Sequence, residues 1–327
     1  MTEQQARRWS VVVGLLLLAA FAVFFPIAKS GLVGRGSDLD DSYNRAVHAL
    51  LSGRYPYEPR TYLGGEISAM PGSIVMAVPF VLLGTAAFQV PFWLAVGFFV
   101  VRKVLGDTRE AFLGSVAVLL LSPTVVHSVV TGIDHVSVGA LVAVAAYGVC
   151  RARGWWITPA AIFFGLALSS RPNFSLVAFP VLSYLNRAYG RRESVRRMAI
   201  AFASFALITV PYFVLSPEEF SPIASVERLT RFGNTAAVTV PIAALLGTIY
   251  WAFRRQGSSL TDMFEAMALS QGCLVMAGTL LGLIQTGVVD LWYMNYFSFC
   301  TVPGVLAWWT IATEARKAVL VAAASNA

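Results

Sequence analysis

Charged side chains are scarce in this sequence, and their scarcity excludes an ordinary soluble protein. Only 13% of the 327 residues are Asp, Glu, Lys or Arg, whereas a soluble domain carries about 25%. Hydrophobic residues make up 57% of the chain, and the mean hydropathy is +0.69. Together with repeated long apolar runs, these values indicate an integral membrane protein with several spans.

Cysteines and recognisable catalytic motifs are also few. The three cysteines, Cys150, Cys273 and Cys300, lie in or beside apolar segments without Cys-x-x-Cys spacing. This placement favours packing roles over a disulfide framework or a metal site. The sequence contains no Gly-x-Ser-x-Gly, His-Glu-x-x-His or phosphate-loop pattern, which excludes the sites that those motifs build.

Ten apolar segments are interpreted as membrane spans: 10–28, 86–104, 111–128, 134–150, 155–170, 172–186, 198–215, 237–253, 264–285 and 291–312. The stretch 71–84 is shorter and contains two prolines, so it predicts an interfacial or re-entrant helix, with an eleventh span as the alternative. The expected fold is all-α, a multi-span transmembrane helical bundle forming one domain over residues 1–327. Its parts are a first span at 10–28, an outer loop at 29–70, core spans at 71–215, a second outer loop at 216–236 and C-terminal spans at 237–312.

Basic residues fall mainly on one side of these spans. If the N-terminus is cytoplasmic and 71–84 does not cross, 16 of the 24 Lys and Arg residues are cytoplasmic. If 71–84 crosses, ten of them move outward, against the positive-inside rule. We therefore expect both termini to be cytoplasmic, in the plasma membrane of a bacterium or an archaeon. The net charge of +7 then reflects orientation and not nucleic-acid binding.

Three carboxylates, Asp38, Asp40 and Asp41, follow the first span within four residues. An acidic cluster at the mouth of a membrane bundle costs solvation energy unless it has a partner or a task. The following run, 42–52, places apolar side chains at helical spacing and predicts a helix on the outer surface. The sequence thus predicts an outward-facing site at the aspartates. The structural alternative is that Asp38 or Asp40 only caps this helix.

Further charged residues, Asp134 beside His135 and then Arg171, lie at predicted outer ends of spans. Under the same topology they reach the face that carries Asp38. Arginine suits phosphate because its planar fork binds two oxygens. A carboxylate can act as a general base or hold a divalent cation such as Mg²⁺ or Mn²⁺. The structural alternatives are a helix cap at Asp134, an interfacial anchor at Arg171 and a packed core residue at His135.

The acidic segment begins a spaced pattern of Asp38, Tyr43, Ala46, Leu50, Leu51, Gly53, Pro56 and Tyr57. Further along come Ser122-Pro123, Asp134, the segment 165–172 with Arg171-Pro172, and the loop 219–232. In this order the motifs resemble GT-C-fold glycosyltransferases, multi-span enzymes that use polyprenyl-phosphate-linked sugars. The nearest patterns are the polyprenyl-phosphate-mannose-dependent mannosyltransferases and the aminoarabinose and protein-mannosyl transferases. The resemblance covers roughly residues 10–236.

The resemblance implies a catalytic aspartate in the first outer loop, by position Asp38, with Asp40 as the alternative. It acts as general base on an acceptor hydroxyl, and polyprenyl phosphate leaves with inversion at the sugar. We assign supporting roles to Asp41, Asp134, His135 and Glu66, and contacts to the donor phosphate to Arg171, Arg60 and Arg231. The implied partners are a polyprenyl-phosphate-linked sugar, a glycan, lipid or protein acceptor, and membrane lipid. A divalent cation, if used, is expected at Asp38 and Asp40.

Two other functions remain open. A transporter or flippase also carries charges within the membrane, although the two halves of this chain show no internal similarity and its key charges lie at span ends. A non-catalytic membrane subunit fits the shortness of the chain. Sugar transfer is the function that the order of the motifs favours.

Overall fold

The computed structural model describes residues 1–30, 32, 37–223, 234–254, 259–288, 295–307, 309 and 312, and in these residues the chain is all-helical, without β-strands. The α-helices in chain order are α1 Glu3–Lys29, α2 Leu39–Leu51, α3 Pro71–Leu82, α4 Gln89–Leu105, α5 Thr108–Leu121, α6 Pro123–Thr131, α7 His135–Arg151, α8 Ile157–Leu168, α9 Ala178–Tyr189, α10 Arg191–Leu215, α11 Asn234–Arg254 and α12 Leu260–Thr286. Short 3-10 helices are Ala86–Phe88, Gly154–Trp156, Pro172–Val177, Ser221–Ile223 and Asn295–Cys300.

Four helical stretches of the described chain are long and apolar enough to cross a membrane. They are Glu3–Lys29, Ala86–Leu105, Arg191–Leu215 and Leu260–Ile284, and a bent pair of helices would add a fifth. These are fewer than the ten predicted spans. Several of the other apolar segments fold as helices of 12 to 17 residues, which reach about 18–26 Å at 1.5 Å per residue, less than the roughly 30 Å of a bilayer core.

The predicted span 111–128 is not one straight helix. The chain bends by 90° between α5 and α6, and Pro123 is the first residue of α6. Proline lacks a backbone N–H and disfavours helical geometry at the residue before it, so the helix breaks at Ser122. The residues of the predicted span 111–128 therefore form a bent pair of helices, which is either one broken span or a re-entrant loop.

The segment after the first loop forms α3, which is 12 residues long and too short to cross by itself. Its first turn contacts the C-terminal end of α8. The Gly72 N–H donates to Ser169 Oγ at 3.1 Å, and the Ser73 N–H donates to the Ser169 carbonyl at 3.2 Å. The interfacial or re-entrant position of this helix stays a prediction.

The bundle has two chemically different ends. At one, which we call the site end, α2 contacts Lys29 at the end of α1 and Asp134 at the start of α7, and Asp134 contacts Arg171 after α8. At the other, the arginine end, the last turn of α7 meets the end of α9 and the start of α10. There Arg197 Nη1 donates to the Val149 carbonyl at 2.6 Å, and Tyr189 Oη donates to the Cys150 carbonyl at 2.7 Å.

Close helix packing in the bundle depends on glycine at α8. A Cβ added to Gly165 would lie 2.1 Å from the Ala201 carbonyl oxygen of α10. Real side-chain atoms do not approach a backbone oxygen so closely, and a backbone cannot move aside as a flexible side chain can. The two helices must therefore separate if Gly165 gains a side chain.

We predict that Gly165→Ala destabilises the protein by about 1–3 kcal/mol through overpacking. A matched control is Gly148→Ala on α7, where an added Cβ meets nothing within 4 Å. That change should be neutral or stabilising by about 0.5–1 kcal/mol, because alanine favours the helix. Thermal unfolding of both variants in the same detergent measures the difference, and equal melting temperatures would contradict the packing argument.

Candidate functional site

Asp38 occupies the N-cap position of α2, but its side chain makes no capping hydrogen bond. Its carboxylate is partly exposed and accepts a 2.5 Å hydrogen bond from Thr61 Oγ1. A tight turn holds Thr61 in place, since the Thr61 N–H donates to the Gly65 carbonyl and the Gly65 N–H donates to Thr61 Oγ1, both at 2.9 Å. The capping interpretation of Asp38 therefore fails, and its carboxylate is directed towards the following loop.

Asp40 is buried, with 5% of its surface exposed. Its Oδ1 forms an ion pair with Lys29 Nζ, which also donates to the Ser37 carbonyl at 3.1 Å. Burial raises the pKa of Asp40 above its ordinary value, and the hydrogen bond and charge of Lys29 oppose that rise. Asp40 therefore anchors α2 to the end of α1.

The third carboxylate of the cluster supports the loop. Asp41 accepts from Arg45 Nε at 2.7 Å, four residues along α2, and from the Tyr62 N–H at 2.8 Å. Glu66 and Arg60 form an exposed ion pair at 2.8 Å across the turn that carries Thr61. Arg60 and Glu66 thus close this turn. Arg231, the third residue predicted to contact phosphate, lies outside the described residues.

Asp134 and Arg171 form a buried ion pair at the site end. Arg171 Nη2 donates to Asp134 Oδ2 at 2.7 Å, and its Nη1 donates to Ser68 Oγ at 3.1 Å. Tyr43 Oη on α2 donates to the same Asp134 oxygen at 2.8 Å. Asp134 is 1% and Arg171 6% exposed. A snorkelling anchor would extend its head group into water, so this alternative for Arg171 is excluded.

Two structural alternatives remain for the residues at this ion pair, a helix cap at Asp134 and a packed core residue at His135. Asp134 is at the N-cap of α7 but makes no side-chain capping bond. His135 is buried against aromatic rings, with its ring centroid 4.6 Å from that of Tyr296 and 5.1 Å from that of Phe299. Its Nε2 lies 3.9 Å from Asp134 Oδ1. His135 is thus a packed core residue next to the ion pair, as its structural alternative predicts.

The predicted site residues divide into two groups connected through α2. Asp38, Asp40 and Asp41 lie at the start of this helix, and Tyr43, one turn on, reaches the buried pair. Arg171 directs its two terminal nitrogens to Asp134 Oδ2 and to Ser68 Oγ, and Tyr43 donates to the same Asp134 oxygen. The geometry therefore favours a positioning role for Arg171 over direct contact with a phosphate.

A divalent cation does not fit the two carboxylates well. Asp40 is already neutralised by Lys29, and Asp38 faces the hydroxyl of Thr61. Within the part of the chain that the structure describes, no group of three or more His, Cys, Asp or Glu residues could hold a metal ion. The cation at this place in the fold is a lysine.

We predict that Lys29→Met makes protein stability more sensitive to pH. A carboxyl whose pKa is raised on folding contributes stability that is present below its ordinary pKa of about 3.9 and is lost as the pH rises through the folded value. Without Lys29 the pKa of Asp40 rises further, and each added pKa unit costs about 1.4 kcal/mol at neutral pH. Melting temperatures measured from pH 4 to pH 8 should fall more steeply in the variant.

The control for this prediction removes the carboxylate as well. In Lys29→Met/Asp40→Asn no charge is left buried at this contact, so the additional pH dependence should disappear. If the melting temperature of Lys29→Met depends on pH as that of the wild type does, Lys29 does not stabilise the charge of Asp40.

Sequence reasoning assigned no site role to four residues: Lys29, Tyr43, Thr61 and Ser68. The signal for Lys29 was its position, a lone cation at the end of an apolar helix and close to the acidic cluster. Thr61 and Ser68 carried no signal, because hydroxyl residues are common in loops. The chain matches no protein-family model, no curated protein and no solved structure.

Proposed function

We propose that this protein is a membrane glycosyltransferase that moves a sugar from a polyprenyl-phosphate donor to an acceptor hydroxyl, with inversion at the anomeric carbon. The observation that carries the proposal is the arrangement around Asp38, a partly exposed carboxylate beside the ion pair of Lys29 and the buried Asp40, at one end of an apolar bundle. The carboxylate is oriented by Thr61 and is not used as a helix cap. These are the properties of a general base open to a substrate.

In the proposed reaction, Asp38 removes the proton of the acceptor hydroxyl. The acceptor oxygen forms a bond to the anomeric carbon from the side opposite the phosphate. The bond from that carbon to the phosphate oxygen breaks, and the electron pair leaves with polyprenyl phosphate. Charge therefore develops on the departing phosphate, and a cation near that oxygen stabilises the transition state more than the ground state.

Lys29 is the cation that the geometry offers for this task. Its ammonium group lies beside the acidic segment and retains 23% of its side-chain surface exposed. Arg171 has a supporting part in this scheme, because it fixes Asp134 and, through Tyr43, the helix that carries Asp38. Arg60 and Arg231 stay as predicted phosphate contacts, Arg60 with its exposed pair partner Glu66.

The proposal includes the orientation of the chain. The site end faces outward, both termini are cytoplasmic, and the ten apolar segments act as spans, some of them as shorter or bent helices. The exposed arginines near the end of α7 and the start of α10 lie at the opposite end of the bundle, and they support this orientation under the positive-inside rule. A bacterial or archaeal plasma membrane, with a glycan, lipid or protein as acceptor, completes the proposal.

The test uses the full-length protein in lipid nanodiscs with polyprenyl-phosphate-linked mannose and a panel of other sugars. The expected result is consumption of one donor, release of polyprenyl phosphate and a product of inverted anomeric configuration, which NMR determines. Retention of configuration would contradict the single displacement. No consumption of any donor would overturn sugar transfer for the isolated chain and leave the non-catalytic subunit.

Transport is a second candidate, favoured by the buried Asp134–Arg171 pair, since charges within membrane proteins often line substrate paths. It is separated from transfer by a flux measurement. Movement of an intact lipid-linked sugar between the leaflets of a vesicle, without cleavage of the phosphate bond, would support transport. Cleavage with no such movement supports the enzyme.

A further inference from the structure

Exposed arginines gather at the arginine end of the bundle. They lie at or just after the end of α7 and in the first turns of α10, and they are Arg151, Arg153, Arg191, Arg192 and Arg196. We call this set the arginine rim. Two contacts fix the two segments side by side: Arg197 Nη1 donates to the Val149 carbonyl at 2.6 Å, and Tyr189 Oη donates to the Cys150 carbonyl at 2.7 Å. The rim is therefore one surface and not two separate loops.

The positive charge of this surface is only partly compensated. Glu193 is the acidic residue within these two segments, and it already pairs with Arg196 and Arg197 at 2.8 Å each. Arg151, Arg153, Arg191 and Arg192 are the remaining cations of the rim. An excess of this kind attracts an anion from the surroundings.

The start of α10 increases the demand for an anion. Arg191 and Arg192 share its first turn with Glu193, whose carboxylate pairs with Arg196 and Arg197, and no side chain caps the helix at Gly190. The first backbone N–H groups of a helix lack acceptors within it, and the helix dipole is positive there. Two arginines beside the positive end of the helix dipole are unfavourable, and an anion bound there would relieve that cost. The backbone N–H groups and the guanidinium groups could both donate to the oxygens of a phosphate.

The neighbourhood of the rim is that of a membrane surface. Trp155 and Trp156 follow directly, with ring centroids 3.8 Å apart, and 71% and 57% of their surfaces are exposed. Tryptophan collects at the level of lipid head groups. Below the rim, α10 exposes the apolar side chains of Phe202 and Leu207, as a helix in contact with lipid chains does.

We propose that the arginine rim binds the phosphate groups of anionic phospholipids in the surrounding bilayer. The occupant is a lipid and not a soluble anion, because the cations adjoin interfacial tryptophans and an apolar helix face. This site lies at the opposite end of the bundle from Asp38 and does not depend on sugar transfer. It holds the protein at a fixed depth in the leaflet that carries the anionic lipid.

The experiment measures lipid binding to the purified full-length protein by native mass spectrometry, with phosphatidylglycerol and phosphatidylcholine as probes. The wild type should retain phosphatidylglycerol in preference to phosphatidylcholine. One arginine near an anionic surface contributes roughly a factor of five. Arg191→Gln/Arg192→Gln should therefore weaken phosphatidylglycerol binding about 25-fold and leave phosphatidylcholine binding unchanged.

The matched control is Arg45→Gln/Arg54→Gln, which removes the same amount of charge from exposed residues at the site end. It should bind phosphatidylglycerol like the wild type. If the first double variant fails to fold, Arg151→Gln/Arg153→Gln tests the other half of the rim. Equal loss in rim and control variants, no preference for phosphatidylglycerol, or displacement of the lipid by inorganic phosphate at the same concentration would each overturn the proposal.

Discussion

Asp38→Asn should lower the rate of sugar transfer by about 10²–10⁴-fold, the usual contribution of a positioned general base, with little change in melting temperature. The amide oxygen of asparagine can still accept the hydrogen bond from Thr61 Oγ1 that orients Asp38 at 2.5 Å. The side chain therefore keeps its place and loses only its ability to take a proton. Turnover of the lipid-linked donor and thermal unfolding are measured on the same preparation.

The combination of lost activity and unchanged melting temperature distinguishes Asp38 from Asp40, the alternative general base. Asp40 is buried against Lys29, so Asp40→Asn removes the partner of a cation and should lower stability together with activity. Loss of a base that acts on the substrate lowers kcat and kcat/KM in equal proportion, because the base stabilises only the transition state. We expect this kinetic pattern for Asp38→Asn and a combined loss of folded protein and rate for Asp40→Asn.

Glu58→Gln is the matched control, since it neutralises an exposed carboxylate of the same loop that has no part in the proposed reaction. It should retain wild-type turnover. If Asp38→Asn and Glu58→Gln are equally active, Asp38 is not the base. If Asp40→Asn alone loses turnover while keeping its melting temperature, the assignment passes to Asp40.

Much of the fold could be predicted from the sequence because hydrophobic length and helix formation are local properties. The amphipathic run at 42–52 overlaps α2, which ends at Leu51, and the short stretch 71–84 contains the 12-residue helix α3. The bend at Ser122 was harder to predict from the sequence, since an apolar run has the same composition whether its helix is straight or broken by 90°. The number of spans remains a prediction for the same reason: apolarity does not fix how an individual helix crosses.

The sequence drew attention to several charged residues, but it did not identify Lys29 or the contacts that these residues make. Scarcity of charge in the chain made Asp38, Asp134 and Arg171 stand out. The contacts that define their roles join residues far apart, such as Tyr43 to Asp134 over 91 positions and Ser68 to Arg171 over 103. Only packing in three dimensions brings these together, so sequence reasoning assigned Arg171 to a phosphate while the fold gives it a carboxylate.

Arg171→Met should destabilise the folded protein by about 3–5 kcal/mol, the cost of removing one partner from a buried ion pair. Asp134 is 1% exposed, and without Arg171 its charge would stay buried with only the hydroxyl of Tyr43 donating to Oδ2. Tyr43→Phe removes that smaller contribution and should cost about 1.5–3 kcal/mol, as for a hydrogen bond to a charged group. Thermal unfolding in detergent ranks the two variants.

The double variant Asp134→Leu/Arg171→Met decides whether the pair acts through mutual compensation. Burying two charges has a desolvation cost that their attraction barely repays, so replacing both with apolar residues should be less destabilising than removing Arg171 alone. A double variant that is less stable than Arg171→Met would show that the two side chains act independently. Because Tyr43 joins Asp134 to the helix that begins beside Asp38, the double variant should also transfer sugar slowly even where it is folded. Stability and activity then separate, which distinguishes a positioning pair from a purely structural one.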